Sequence, residues 1–273
     1  MKRLCLLAVL ASAALTFNAH AQLGGIGRTA NIASDLLIRL FEGQDAFTAD
    51  IDLQTIGRDG VEAMSMPARL VYQDDQLRME TYLDKMKAPG MAGQMAAMMK
   101  GAGLDTAVAI VQQKQSRALV VFPNLKSYTI ENLTPATEQP LPAGTKATNA
   151  PLQVKELGKE AVAGVECTKS QVTYQDLKGK ERTATLWRGA DAKKFPVKLE
   201  SVDRGTRAVI NFKKPTYGKP EASLFTVPAD FKKYADAQEM MQEVMMKAMG
   251  AGGPGGAPAT GILPKPGQNN TQQ

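Results

Sequence analysis

Residues 47 to 54, Phe-Thr-Ala-Asp-Ile-Asp-Leu-Gln, alternate strictly between apolar and polar side chains. Successive side chains of a strand point to opposite faces, so Phe47, Ala49, Ile51 and Leu53 share one face. Thr48, Asp50, Asp52 and Gln54 take the other, which faces water. A strand built this way must join a sheet that buries one side. The pattern then repeats along the chain. "ARLVYQDDQLRMETYL" (68–83) predicts a hairpin turning at Asp74-Asp75, where Asp is favoured on backbone grounds. "TAVAIVQQ", "RALVVFP" and "KSYTI" follow as short strands. After a Pro-, Thr- and Ala-rich loop from about 134 to 151, "GVECTKSQVTYQ" and "KERTATLWRG" flank a turn carrying Gly179. "FPVKLESV" and "RAVINFKKP" flank Asp203-Arg204-Gly205, a second strong hairpin signal. The total is eight to eleven short strands at hairpin spacing, a number suited to one α+β domain.

Three segments break the alternation. In "ANIASDLLIRLF" (30–41), Ile32, Leu36, Leu37, Leu40 and Phe41 recur at helical spacing. "MAGQMAAMMKGAG" (91–103) places Met91, Met95, Met98 and Met99 at i, i+4, i+7 and i+8, one stripe of a helix. "KYADAQEMMQEVMMKAM" (233–249) places Met241, Met245 and Ala248, with Met249, in another. Together with Met86, the two methionine segments hold ten of the chain's 14 methionines. Three readings compete for them. Two amphipathic helices can each bury one face. Alternatively, the 91–99 helix, flanked by Gly90, Gly93, Gly101 and Gly103, is a loosely held lid over something apolar, since methionine adapts to varied apolar partners. The third reading is Cu(I) held by thioethers.

The chain's start removes much chemistry. Lys2 and Arg3 precede the apolar run "LCLLAVLASAALTF", and "AHA" at 19–21 fits a signal peptidase site. Cleavage after Ala21 takes with it His20, the one histidine, and Cys5. What remains has Cys167 alone and no histidine, which excludes Ser-His-Asp and Cys-His nucleophilic sites and histidine-based zinc sites. An intramolecular disulfide is excluded too; a link from Cys167 to another chain is the alternative to a buried thiol. A pair of carboxylates needs no histidine, and Asp74 with Asp75 is the candidate pair, but a turn accounts for both. No phosphate loop, dinucleotide fingerprint or nucleophile elbow is present, because "GAGGPGG" (250–256) joins no strand to a helix. The net charge of +6 falls to +4 on cleavage, with both signs interspersed, so no nucleic-acid surface is expected. No later stretch has the roughly 18 continuous apolar residues of a membrane span.

From about 157 to 234, "GVEC" opens a strand, "LWRG" ends the next, "FPVKLES" and "TRAVINF" follow, and "ASLFTVPADFKKY" closes the domain. This series resembles a family of secreted bacterial domains of unknown function that share the fold of the LolA and LolB lipoprotein carriers and of LppX. "SLFTVPADF" is its most specific piece. The resemblance implies a single curved antiparallel sheet, an open half-barrel, with helices packed on its concave face. It implies no active site and no cofactor. Characterised carriers hold acyl chains in that concavity.

The expected organisation is therefore a signal peptide at 1–21, a LolA-like α+β domain at 22–249 with a methionine-rich helical insertion near 84–103, and a disordered Gly-, Pro- and Gln-rich tail at 250–273. The expected place is the bacterial periplasm or exterior. The expected role is a non-enzymatic binding or carrier module for an acyl chain or other apolar ligand. Met91, Met95, Met98, Met99, Met241, Met245 and Trp187 line its cavity or lid in this reading. A structural or protein-interaction domain with a filled core is the alternative, and Cu(I) binding is the third.

Overall fold

The computed structural model describes residues 36–133, 152–175, 180–190, 193–203 and 205–251. The signal segment, the whole 134–151 loop, the expected turn carrying Gly179 and the tail from 252 lie outside them, as does the 30–35 part of the first expected helix.

The alternating segments form one open sheet of 13 strands. After a helical stretch, α1, at 36–41, strands β1 (Phe47–Ile56), β2 (Glu62–Gln73), β3 (Gln76–Tyr82), β4 (Thr106–Gln112), β5 (Arg117–Phe122) and β6 (Ser127–Asn132) form a meander. Helix α2 (Met91–Gly101) interrupts it between β3 and β4. The second meander is β7 (Gln153–Val162), β8 (Val165–Gln175), β9 (Glu181–Gly189), β10 (Pro196–Asp203) and β11 (Thr206–Phe212). Two two-residue strands, β12 (Thr216–Tyr217) and β13 (Lys232–Lys233), and helix α3 (Ala237–Ala251) complete the described chain.

The two meanders meet where β1 pairs antiparallel with β11, Ile51 opposite Phe212. The sheet order is β13-β6-β5-β4-β3-β2-β1-β11-β10-β9-β8-β7, with β12 beside β1. All pairings are antiparallel except the short β13–β6 contact, which is parallel. The expected hairpins hold. Gln73 pairs with Gln76 around Asp74, which takes a left-handed φ of 54°. Asp203 pairs with Thr206 around Gly205 at φ 83°.

Both faces of the sheet carry buried clusters. On the first face, Phe47, Ala49 and Ile51 of β1 join Ala68, Leu70 and Tyr72 of β2, Leu186 of β9, and Ile210 and Phe212 of β11. Helix α1 supplies Leu36, Leu37, Ile38, Leu40 and Phe41 to the same cluster. Its centre is aromatic. Phe41 meets Phe47 edge-on at 4.7 Å, and Phe195 meets Phe47 at 4.9 Å, the spacing of close-packed rings. The opposite face is covered over β2 to β5 by the segment expected to close the domain. Phe225, in the 3-10 turn Ala222–Phe225, packs on Val71, Val108, Ile110, Leu119 and Val121. Arg78 donates to the Leu224 carbonyl at 3.0 Å and Gln112 to the Phe225 carbonyl at 3.1 Å, which pins the turn.

Apart from the two-residue strands β12 and β13, one strand departs from the expected set. β7 is exposed along almost its whole length, so it has no alternation to detect. Only its backbone ladder to β8 makes it a strand.

Candidate functional site

The methionine segments fold as helices, and the structure distributes their side chains unequally. Met99 of α2 is buried against Leu83, Leu104, Met66 and Met240, with Tyr234 closing the cluster. Met240 of α3 is fully buried, while Met241 and Met86 pack on the cluster's margin. Met98 is 53% exposed, so the stripe drawn through Met91, Met95, Met98 and Met99 is not buried as a unit. Met98 and Met99 are adjacent in sequence, about 100° apart around the helix; one points to the cluster and the other to water. The side chains of Met91, Met95 and Met245 lie outside the described residues, although their backbones are helical. The stripe through α3 missed Met240, the residue that anchors it.

This cluster lies on the same face of the sheet as α1. Leu53 packs on both clusters, Met66 is the cross-strand partner of Leu53, and Ala107 and Phe122 lie at the cluster's edge. One face of the sheet is thus covered at one end by α1 and at the other by α2 and α3.

α2 is lightly held at both ends. It starts after Gly90 at φ 62° with no side-chain cap, and the chain leaves it through Gly103 at φ 77°. Both are left-handed positions, which favour glycine. Gly93 has a different reason. A Cβ there would lie 2.7 Å from the Ala88 carbonyl oxygen, so glycine permits close approach of the preceding turn.

Trp187 does not join the methionines. Leu186 belongs to the α1 face, so alternation turns Trp187 to the other face. There its cross-strand partners Lys169 and Lys198 sit over the indole, at 5.2 and 4.5 Å from the ring centroid. Its Nε1 donates to Glu160 at 3.2 Å. Lys169 also bonds Glu160 at 2.8 Å, and these two hydrogen bonds, the lysine's first, hold the Glu160 carboxyl below its ordinary value. Trp187 is buried by lysine stems and a carboxylate rather than by a ligand recess.

Cys167 is fully buried, and its thiol donates to the Val165 carbonyl. Burial pushes its pKa up, the environment of a structural thiol. Asp74 and Asp75 occupy the β2–β3 turn; Asp75 is tied to Lys114 at 3.1 Å, in keeping with a turn role. A recess of about 380 Å³ opens beside β7, β8 and β9, lined by Glu156, Lys159, Thr168, Ser170, Arg188 and Lys194 among others. Desolvation lowers the Arg188 pKa. The recess is charged, and β10, β11 and β1 separate it in the sheet from the methionine cluster. Among the described residues, no group of three or more His, Cys, Asp or Glu could hold a metal ion. No described helix is long and apolar enough to cross a membrane.

The profile of a family described as a domain of unknown function, DUF4412, matches residues 47–194. The match begins at β1 and ends before β10, so "SLFTVPADF", taken from the sequence as the most specific piece, falls outside it. No curated protein sequence matches. Among solved structures, the chain is similar to a LolA superfamily protein from Nitrosomonas europaea at 11% identity and a TM-score of 0.35, covering 71% of this chain and 97% of that one. It is similar to the lipoprotein LppX of Mycobacterium tuberculosis at 12% identity and a TM-score of 0.35, covering 73% and 99%. A third likeness is to the MucA/MucB complex of Pseudomonas aeruginosa at 16% identity and a TM-score of 0.35, covering 73% and 62%.

Proposed function

We propose, for a chain that belongs to the DUF4412 family of domains of unknown function, a non-enzymatic role in binding an acyl chain or other apolar ligand outside the cytoplasm. The ligand lies on the sheet face beneath α2 and α3, which we take to be the concave one. The observation that carries this reading is the contact between those helices and the sheet. It is built from Met66, Met99 and Met240, with Met86 and Met241 at its margin. Unbranched thioether side chains re-pack around varied apolar shapes at little cost. α2 enters this contact through Met99 and leaves through glycine turns, so it can lift without breaking the sheet. The signal-like start supports export.

Native mass spectrometry of gently purified protein tests the proposal, together with titration of an apolar fluorescent dye. Co-purified lipid, or saturable dye binding weakened in M99A, is the expected result. Absence of both sinks it.

A second reading has its own observation. The aromatic cluster of Phe41, Phe47, Tyr72, Phe195 and Phe212 leaves the α1 end of the face tightly filled. A domain filled throughout would serve protein interaction instead, and failure of both ligand assays would favour that role.

A further inference from the structure

Among the described residues, the edge strand β7 presents ten residues, about 33 Å of backbone unpaired on its outer side at strand spacing. Long exposed edges are templates for another strand, and proteins commonly blunt them with charges or a bulge. β7 has both. Its register with β8 slips between Glu156 and Gly158, and it carries Lys155, Glu156, Lys159 and Glu160. It also leaves Val154 and Leu157 exposed at 51% each. These features do more than discourage pairing, because they are arranged symmetrically about the slip.

From the charge pattern and the bulge together, we propose that β7 pairs antiparallel with β7 of a second copy of this chain, about a two-fold axis between Leu157 and Gly158. In that register Lys155 lies opposite Glu160 of the other copy, Glu156 opposite Lys159, and Val154 opposite Ala161. Four cross-strand ion pairs result, two of each kind.

The facing of the side chains requires the bulge. Directly opposed residues must share a face, and a two-fold axis normal to the sheet keeps each face on its own side. In a regular strand, Lys155 and Glu160 would point to opposite faces, and the register would fail. The extra residue inverts the alternation beyond Leu157. Glu156 pairs with Ser170, whose partner Leu186 is on the α1 face, and Lys159 pairs with Thr168, opposite Arg188 on that same face. Lys155 pairs with Gln171 and Glu160 with Cys167 on the other face, where Glu160 meets Trp187. Each proposed pair therefore shares a face. The bulge shifts the phase of the backbone groups as well, so opposed residues turn their N–H and C=O outward together.

The charges then select the register. Moving it by one residue sets Glu156 against Glu160, or Lys155 against Lys159, and mismatches their faces. Moving it by two removes every ion pair. Lys159 and Glu160 also bond within the chain, to Glu166 and Lys169. Lys155 and Glu156 have no such pairing among the described residues and stand ready for a partner.

Sedimentation velocity of the purified protein across a concentration series tests the proposal, with the double variant K155E/E156K beside it. That variant reverses all four pairs and leaves the Lys159–Glu166 and Lys169–Glu160 pairs in place. The expected result is a wild-type dimer whose Kd rises about tenfold or more in the variant, with Trp187 emission and circular dichroism unchanged. In a second arm, V154C/A161C should form a covalent dimer on oxidation, since the two positions oppose each other. A monomeric wild type at every concentration would overturn the proposal. So would a dimer indifferent to K155E/E156K, or one that V154C/A161C does not cross-link.

Discussion

At the scale of single residues, two titrating groups report on the two faces of the sheet. Tyr72 packs among Phe41 and Phe47 on the α1 face. Burial, aided by Glu42, Asp74 and Asp75, pushes its phenol up to about 12. A raised pKa means that the fold favours the neutral phenol, so its stabilisation is complete below its ordinary 10.0 and is lost as pH rises through about 12. Urea midpoints of wild type should fall across that window, and Y72F should fall less. On the other face, Glu160 is held ionised by Lys169 and Trp187. Its lowered pKa gives a stabilising effect that is present above the ordinary 4.5 and lost as pH falls through the lowered value. The emission of the one tryptophan should therefore change with a midpoint below 4.5, and E160Q should abolish that step while leaving Tyr72 titration intact.

At the scale of elements, the glycines of α2 separate by environment. A Cβ at Gly101 meets nothing within 4 Å, so G101A should stabilise the helix by about 1 kcal/mol. A Cβ at Gly93 meets the Ala88 carbonyl, and G93A should loosen the helix despite alanine's better propensity. Amide hydrogen exchange over 91–101 reads both, with protection rising in the first variant and falling in the second. A rise in G93A would mean that the 86–90 turn gives way easily. The 222–231 segment makes a larger claim. Phe225 is 3% exposed and holds that segment on five sheet residues, so F225A should cost about 3–5 kcal/mol in urea unfolding. A cost near zero would show the segment to be incidental to the fold.

At the scale of the whole molecule, the two meanders depend on one pairing, β1 with β11, and on Leu53, which packs on both clusters of the first face. Neither meander carries a complete core, because residues of β1, β2, β9, β10 and β11 interleave in the aromatic cluster. Thermal unfolding followed by Trp187 emission and by far-ultraviolet circular dichroism should therefore give one coincident transition. Two separated transitions would mean that the β7–β11 half, which holds Trp187, unfolds on its own.

The strands with a buried face were legible because burial forces alternation. β1, the β2–β3 hairpin at Asp74 and the β10–β11 hairpin at Gly205 all follow from period two and turn chemistry. The helices were legible from their 3.6-residue spacing, and no histidine follows His20, which narrows the chemistry open to residues 21–273. Other features depended on long-range placement. Periodicity shows that Met99 and Met240 lie on helices, but only the contact between α2, α3 and Met66 makes them the buried pair and leaves Met98 in water. Trp187 looked like a cavity residue until the register of β9 turned it toward two lysines. β7 had no hydrophobic code, since it is held by backbone hydrogen bonds that any residue can make. Local pattern thus determined which segments are strands and helices, because burial on one face leaves a period in the chain. Which face each side chain meets, and which edge is left unpaired, was decided by register and packing between residues far apart in sequence, which no local period encodes.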